Sequence, residues 1–349
     1  MQETLYIISR KDLFDLFGRL SADHRVLVPY AKGERLYFDD FDPKLEDRIE
    51  LGGIRQSQPV KSFINPPREE VSSRQNGPAR PLILAGVKGC DLSSLALQDF
   101  VFLGGEVEDG FYARNRRDTI LIGCDCSYAK ETCFCLAMEG APYPKQSFDI
   151  CLSALDNSFV VEIGSARGQS IVDAYKVFFK QAPYHSASMR RSNRDRTSRQ
   201  VRGYIDKRQT PDAIQTKGIV KKHYSYVEFW QDMASTCVEC GACNLVCPTC
   251  HCFLLYDEGS ARAPRRLRGW DACLYSTFAR VAGNHNPRKH LFERLRNRFD
   301  KKFEFFPQVM NYFACTGCGR CIEACPGDID IREVLKGLVN GKWTKPPHE

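Results

Sequence analysis

The chain has 349 residues, a formal net charge of +7, 43% hydrophobic residues and 17 cysteines. That length leaves room for two domains with separate cores, and no apolar run approaches the ~18–20 residues of a membrane-spanning helix. The opening MQETLYIISRKD lacks a basic stretch leading into an apolar one, so a cytoplasmic, reducing setting is expected, where so many thiols serve metal or redox chemistry rather than disulfides.

Residues 1–184 are predicted to form an α/β domain. Ser9 with Asp12 caps a helix to about Leu20, with Leu13, Leu16 and Phe17 on one face. Arg25–Tyr30 and Glu34–Phe38 read as strands about the turn at Gly33, and Val60–Val71 as a proline-interrupted connection. Leu82–Val87 is a buried strand; Cys90 follows it, and Asp91 caps a helix to about Phe102. Thr119–Gly123 is the next strand, followed by Cys124, Cys126, Cys133 and Cys135. Sites in open α/β sheets form beyond the carboxyl ends of strands, so Cys90 and the later cysteines can meet if these two strands are parallel neighbours. Cys90, Cys126, Cys133 and Cys135 are thus a candidate set for an iron–sulfur cluster, with a zinc site or buried free thiols as the alternatives. Asp149–Leu155 and Ser158–Gly164 flank an Asp-Asn turn, and Ser165–Lys180 reads as a helix. Cys151, within the first of these strands, reads as a core residue.

Residues 185–222 read as a basic linker, partly helical at best, carrying Arg190, Arg191, Arg194, Arg196, Arg199, Arg202, Lys207 and Arg208. A second basic stretch runs from Arg262 to Arg268 and continues with Arg294, Arg296 and Arg298. Such charge suits a solvated face or the docking of an acidic partner; no helix-turn-helix, finger or RNA-binding signature accompanies it. Residues 223–349 are predicted to be mainly helical. Tyr226, Phe229, Trp230 and Met233 share one helix face, as do Ile331, Val334, Leu335 and Leu338 before a stop at Gly341. Phe253–Ala314 reads as several helices. The fold class expected is α+β: an N-terminal α/β domain followed by a helical domain with a two-cluster, ferredoxin-like module.

That module is read from a cysteine spacing that occurs twice. Cys237, Cys240, Cys243 and Cys247 stand in CVECGACNLVCP, and Cys315, Cys318, Cys321 and Cys325 in CTGCGRCIEACP, at a constant offset of 78 residues. A cubane needs one thiolate per iron; the short C-x2-C-x2-C loop wraps three corners, and in two-cluster ferredoxins the fourth cysteine reaches the other cluster. The first [4Fe–4S] cluster would take Cys237, Cys240, Cys243 and Cys325, and the second Cys315, Cys318, Cys321 and Cys247. The proline after each fourth cysteine stiffens the departing chain, while Gly241 and Gly319 let backbone approach the inorganic core. Structural zinc sites usually use two separated cysteine pairs rather than two such runs. Lys88 beside Cys90 and Arg320 beside Cys321 are candidate tuners of potential. Cys124 reads as an alternative to Cys126, and Cys250, Cys252 and Cys273 as shielding or packing residues, with a further metal site as the alternative.

With VKSFINPPREE, GVKGCDL, the C-x6-C-F-C of Cys126–Cys135, CVECGACNLVCPTCHCF, WDAC, AGNHNPR and CTGCGRCIEACP in place, most of the chain resembles one family of iron–sulfur electron-transfer subunits. That family includes the A subunit of anaerobic sulfite reductase and the β subunit of archaeal sulfhydrogenase, the soluble NiFe hydrogenase. The resemblance implies an electron relay inside a complex, beside a flavin-containing subunit similar to ferredoxin–NADP reductase, and a third cluster on Cys90, Cys126, Cys133 and Cys135. Cys124 and the basic 185–218 segment match no motif of the family.

The sequence has no G-x-G-x-x-G after a strand, no P-loop and no recognisable catalytic constellation of its own. The expected function is relay of single electrons between a flavin subunit linked to NAD(P)H or ferredoxin and a catalytic subunit of hydrogenase, sulfite reductase or heterodisulfide reductase type. The alternative is a nucleic-acid-binding protein with structural clusters, which salt-dependent binding would mark.

Overall fold

The structure, a computed structural model, describes residues 5–72, 80–260 and 262–341. The first four residues, part of the segment read for a leader, lie outside them. Among the described residues the strands in chain order are β1 (Tyr6–Ser9), β2 (Arg25–Lys32), β3 (Arg35–Asp40), β4 (Arg68–Glu70), β5 (Leu82–Val87), β6 (Thr119–Cys124), β7 (Ile150–Leu155), β8 (Ser158–Ile163), β9 (Lys180–Gln181), β10 (Phe253–Ser260) and β11 (Ala263–Trp270). No helix among them is long and apolar enough to cross a membrane.

Two compact units are present. The first comprises residues 1–65, 75–131 and 140–201; the second comprises 66–74, 132–139 and 202–349. The first is built on a sheet in the order β3-β2-β5-β6-β7-β8-β1-β9. Its inner neighbours β2, β5, β6 and β7 run parallel, and the outer pairs are antiparallel. Inner strands covered on both faces read as continuous apolar runs, and β5 shows how this divides the core. Ile83 and Ala85 pack with Phe14 and Phe17 of the helix Arg10–Leu20, while Leu84 packs with Leu92 and Leu95 of the helix Gly89–Leu103.

The Ser9 cap is present, its hydroxyl accepting from the Asp12 amide at 3.0 Å. The helix expected from Asp91 begins earlier, with Lys88 in the capping position, because the Asp91 carboxylate instead accepts the Val60 amide at 3.0 Å. The segment read as a helix over Ser165–Lys180 holds an α-helix at Ala166–Ala174 and a 3-10 turn at Lys176–Phe178.

The basic segment is a 25-residue helix, Tyr184–Arg208, rather than a partly helical connection. Its arginines do not all face solvent. Arg194 pairs with Asp125 at 2.7 Å, and Arg190 pairs with Glu162, so buried carboxylates of the first unit hold the helix down. These ion pairs supply the anchorage that its low apolar content lacks. The boundary between the units falls within this helix, at Val201 and Arg202.

The second unit combines helices with a small sheet in the order β10-β11-β4. Phe253–Ala314, read as several helices, opens instead with the β10–β11 hairpin, followed by the helix Leu291–Asp300, a π-helical turn at Lys301–Phe305 and the helix Phe306–Met310. The hairpin persists because β4, in the segment read as a connection, pairs with β11, and the buried Arg268 guanidinium meets Glu69 at 2.5 Å. The expected helix faces are present: Phe229, Trp230 and Met233 are buried, as are Ile331, Val334, Leu335 and Leu338. Tyr226 remains exposed.

Candidate iron–sulfur centre

Both cysteine runs lie in the second unit, and their loops have the same backbone. In the first, Glu239 and Gly241 are left-handed, with φ of +56° and +69°; in the second, Gly317 and Gly319 match them at +62° and +75°. Each loop leads into a four-residue helix, Ala242–Leu245 or Arg320–Glu323, and these two short helices pack together. The pairing of the two helices carries the fourth cysteine of each run across to the other loop.

The charges that act on each thiol trace this exchange. Burial raises Cys237, and the thiolates of Cys325 and Cys240 add to the shift. Cys243 is raised by burial, with Arg298 opposing and Cys273, Cys237 and Cys325 contributing. Cys315 is pushed up to about 12 by burial, against Lys302, with Cys321 and Cys247 among its neighbours. Cys321 also reaches about 12 through burial, opposed by Arg298 and reinforced by Cys318 and Cys247. Cys325 is thus a neighbour of Cys237 and Cys243, and Cys247 lines one pocket with Cys315, Cys318 and Cys321. A pocket lined by Cys247, Cys315, Cys318 and Cys321 opens between the second four.

Cys247 differs from its neighbours. A hydrogen bond from Cys250 holds it well below the usual thiol range despite burial, and Lys302, Arg298 and Thr249 reinforce the effect. The Lys302 ammonium stands 3.2 Å from Cys247 Sγ and donates to Thr249 Oγ1 at 3.0 Å and Ala314 O at 2.9 Å. Burial works against the charge on Lys302, but the neighbouring sulfurs, Cys247 first, keep it protonated. Arg298, also buried, is held charged in the same way by Cys243, Cys321, Cys250 and Cys247. Two buried cations with thiols as their neighbours need anionic partners, and thiolates bound to iron meet that need. Among the described residues no three Cys, His, Asp or Glu side chains converge on the position of one ion. Zinc would draw its donors to within about 2.0–2.3 Å of a single point, whereas a cubane spreads them over separate irons. The residues present therefore fit the larger group.

These cations were not singled out from the sequence. Arg294 and Arg298 lie in the stretch read as a solvated or docking surface, yet both are buried. The Arg294 side chain donates to the carbonyls of Leu274, Arg288 and Lys289 and pairs with Glu239 at 2.8 Å. An alternating Leu295, Phe299 and Phe303 face beside these charges was the available sign that the helix is inward-facing.

The other set is divided between the units. Cys90 lies in the first turn after β5, and Cys126 just past β6; these strands are parallel neighbours, as the sequence reading required. Between them Lys88 is fully buried, its ammonium donating to Leu51 O at 2.5 Å and Asp125 O at 3.1 Å. Cys133 and Cys135 belong to the second unit, where Phe134 N donates to Gly317 O at 2.8 Å. Cys124 and Cys151 are buried core thiols of the first unit. Burial pushes Cys124 up to about 11, and it drives Cys151 well above the usual range. Arg320 is buried beside the second loop.

Residues 236–329 match the family model described as a 4Fe-4S dicluster domain. The chain is also similar to Sulfhydrogenase 2 subunit beta of Pyrococcus furiosus, with 28% identity over 336 residues, covering 93% of this chain and 96% of that protein. The resemblance drawn from the cysteine motifs is borne out, as is a mixed α/β architecture with the dicluster domain toward the C-terminus. The chain is an iron–sulfur protein of the electron-transfer kind.

Proposed function

We propose that the chain is the electron-relay subunit of a cytoplasmic multisubunit oxidoreductase, passing single electrons between a flavin-containing reductase subunit and a catalytic redox subunit. In this reading Cys237, Cys240, Cys243 and Cys325 hold one [4Fe–4S] cluster, and Cys315, Cys318, Cys321 and Cys247 hold the other. One observation supports it: Cys247, the fourth thiol of the first run, lines one pocket with Cys315, Cys318 and Cys321 of the second, in the manner of two-cluster ferredoxins. The name of the Pyrococcus relative supports a hydrogenase-type complex. Residues 1–184 are proposed as the α/β part and 223–349 as the cluster domain, while the stretch expected as a basic linker, 185–222, opens with the helix Tyr184–Arg208.

Such clusters supply one-electron transfer across a range of roughly −700 to +450 mV. The chain's own part is to hold thiolates, limit water and set the local charge. Lys302 and Arg298 favour added negative charge and so raise the potential of the second set relative to a neutral surrounding. Cys90, Cys126, Cys133 and Cys135 are proposed to hold a further cluster on their sequence pattern.

The test is iron and acid-labile sulfide per chain after anaerobic purification, with electron paramagnetic resonance of the reduced protein. About eight of each represent the dicluster pair, and about four more that Cys90→Ser removes represent the Cys90 set. Cys325→Ser is expected to perturb the cluster of Cys237, and Cys247→Ser that of Cys315. Zinc without sulfide would overturn the relay reading.

A further inference from the structure

A second cavity lies in the C-terminal unit, sharing Arg298 and Lys302 with the pocket between Cys247, Cys315, Cys318 and Cys321. It measures about 240 Å³ and is lined by Cys250, Cys252 and Cys273, three thiols that the dicluster pair does not use. We propose that these three cysteines hold an additional iron–sulfur cluster, with its fourth iron free of cysteine and facing the cavity. The proposal rests on the iron–sulfur reading of the chain.

The β10–β11 hairpin builds the site. Phe253 pairs with Trp270, and Asp271 N donates to Cys252 O at 2.9 Å, so the hairpin closes with Cys252 at one foot and Cys273 just beyond the other. Cys250 N donates to Cys247 O at 3.4 Å, which fixes the third thiol where the chain leaves the first run. The buried Asn244 amide nitrogen lies 3.1 Å from Cys273 Sγ and 3.6 Å from Cys250 Sγ. Amide donors of this kind stabilise thiolates that carry metal. Pairing across a hairpin thus joins PTCHC to WDAC, segments about twenty residues apart in sequence.

Charge adds a second observation. Arg288 and Lys301 line the cavity together with Arg298 and Lys302, which also face the dicluster thiols, and no carboxylate does. Arg298 is 5% exposed, and its Nε has no hydrogen-bond partner among the described residues. A buried donor without an acceptor is costly, so the cavity is suited to an anionic occupant. A cluster on three thiolates is such an occupant. A single ion suits the site less, because no three donors converge on one position among the described residues.

The decisive comparison is the native chain against Cys252→Ser/Cys273→Ser, both isolated without oxygen. The double variant is expected to lose about four irons and four sulfides while the magnetic signals of the dicluster pair persist. In the native chain, cyanide is expected to shift the signal of one cluster outside that pair, since only an iron without cysteine is open to it. Unchanged iron in the double variant overturns this site and leaves the relay reading standing. So does complete alkylation of Cys250, Cys252 and Cys273 in the iron-loaded native chain, or a disulfide among them. Should the double variant lose all iron, the native chain decides: a cyanide-responsive cluster outside the pair supports the site, and its absence overturns it. A native chain without iron or sulfide defeats both readings.

Discussion

The two cysteine loops share a backbone and differ in what surrounds it. At the first left-handed position the first loop has Glu239 and the second has Gly317. The first loop is open: Val238 is 63% exposed, Cys240 is exposed, and Glu239 reaches out to Arg294. The second is covered: Cys318 is buried, and a Cβ on Gly317 would stand 2.5 Å from Phe134 O and 2.6 Å from Cys135 Cα. The repeat keeps the conformation that wraps a cubane and frees the side chain wherever cover is lacking. Glycine is demanded at 317 by packing as well as by φ, whereas at 239 only φ is at issue. In the proposed relay, the open loop is the natural point of exchange with a partner, and the covered loop the interior station.

The largest expected effect breaks the covered side. Lys302→Met leaves the Cys247 thiolate, Thr249 and Ala314 O without their buried cation. Removing one partner of a buried charge pair typically costs about 3–5 kcal/mol. A lower apparent Tm and reduced iron at the second set are expected, with the first set's signals retained. Gly317→Ala comes next. The left-handed backbone alone costs an alanine roughly 1–2 kcal/mol, and the contact with Phe134 and Cys135 adds to it. Thermal unfolding and iron content together measure this, and an unchanged second set would show that the 132–139 segment yields easily.

A proton count sharpens the comparison further. Burial pushes Cys315 and Cys321 up to about 12, so both are protonated in the iron-free chain near neutrality. Cys247 is held well below the usual thiol range by Cys250 and the cations and gives up its proton more readily than either. Loading the second set should therefore release the protons of Cys315 and Cys321, and iron affinity should rise with pH. In the iron-free fold the sign reverses for stability: the raised thiols contribute below their unfolded pKa, and that contribution fades as pH climbs toward about 12. Proton release in weakly buffered solution during reconstitution measures the count.

The sequence disclosed the cluster loops because cubane geometry leaves a short, repeated signature. It also disclosed the inner strands β5 and β6, whose apolar runs reflect burial on both faces. The long helix Tyr184–Arg208 was illegible because its stability comes from Arg190 and Arg194 reaching carboxylates on β8 and just past β6, far away in sequence. The β10–β11 hairpin was missed for a similar reason. Its apolar residues Phe253, Leu254 and Leu255 are exposed, so no alternation marks a buried face, and its third partner β4 lies almost two hundred residues earlier. Arg298 reads as surface charge and Lys302 carries no signal in the sequence; only their thiol neighbours explain their burial.

The smallest effect tests the open loop. Glu239→Gly removes a salt bridge whose carboxylate is 38% exposed, an interaction typically contributing about 0–1 kcal/mol. It also relieves a left-handed non-glycine residue, a gain of roughly 1–2 kcal/mol. Arg294 keeps three carbonyl acceptors, so no buried charge is stranded. The relief is the larger of the two, so the variant should match or slightly exceed the native chain in apparent Tm at unchanged iron content. The converse, Gly317→Glu, should lose the second set altogether, because its side chain would enter the Phe134–Cys135 backbone. If Glu239→Gly instead strips iron from the first set, then the Glu239–Arg294 contact, and not the shared backbone, is what shapes the open loop.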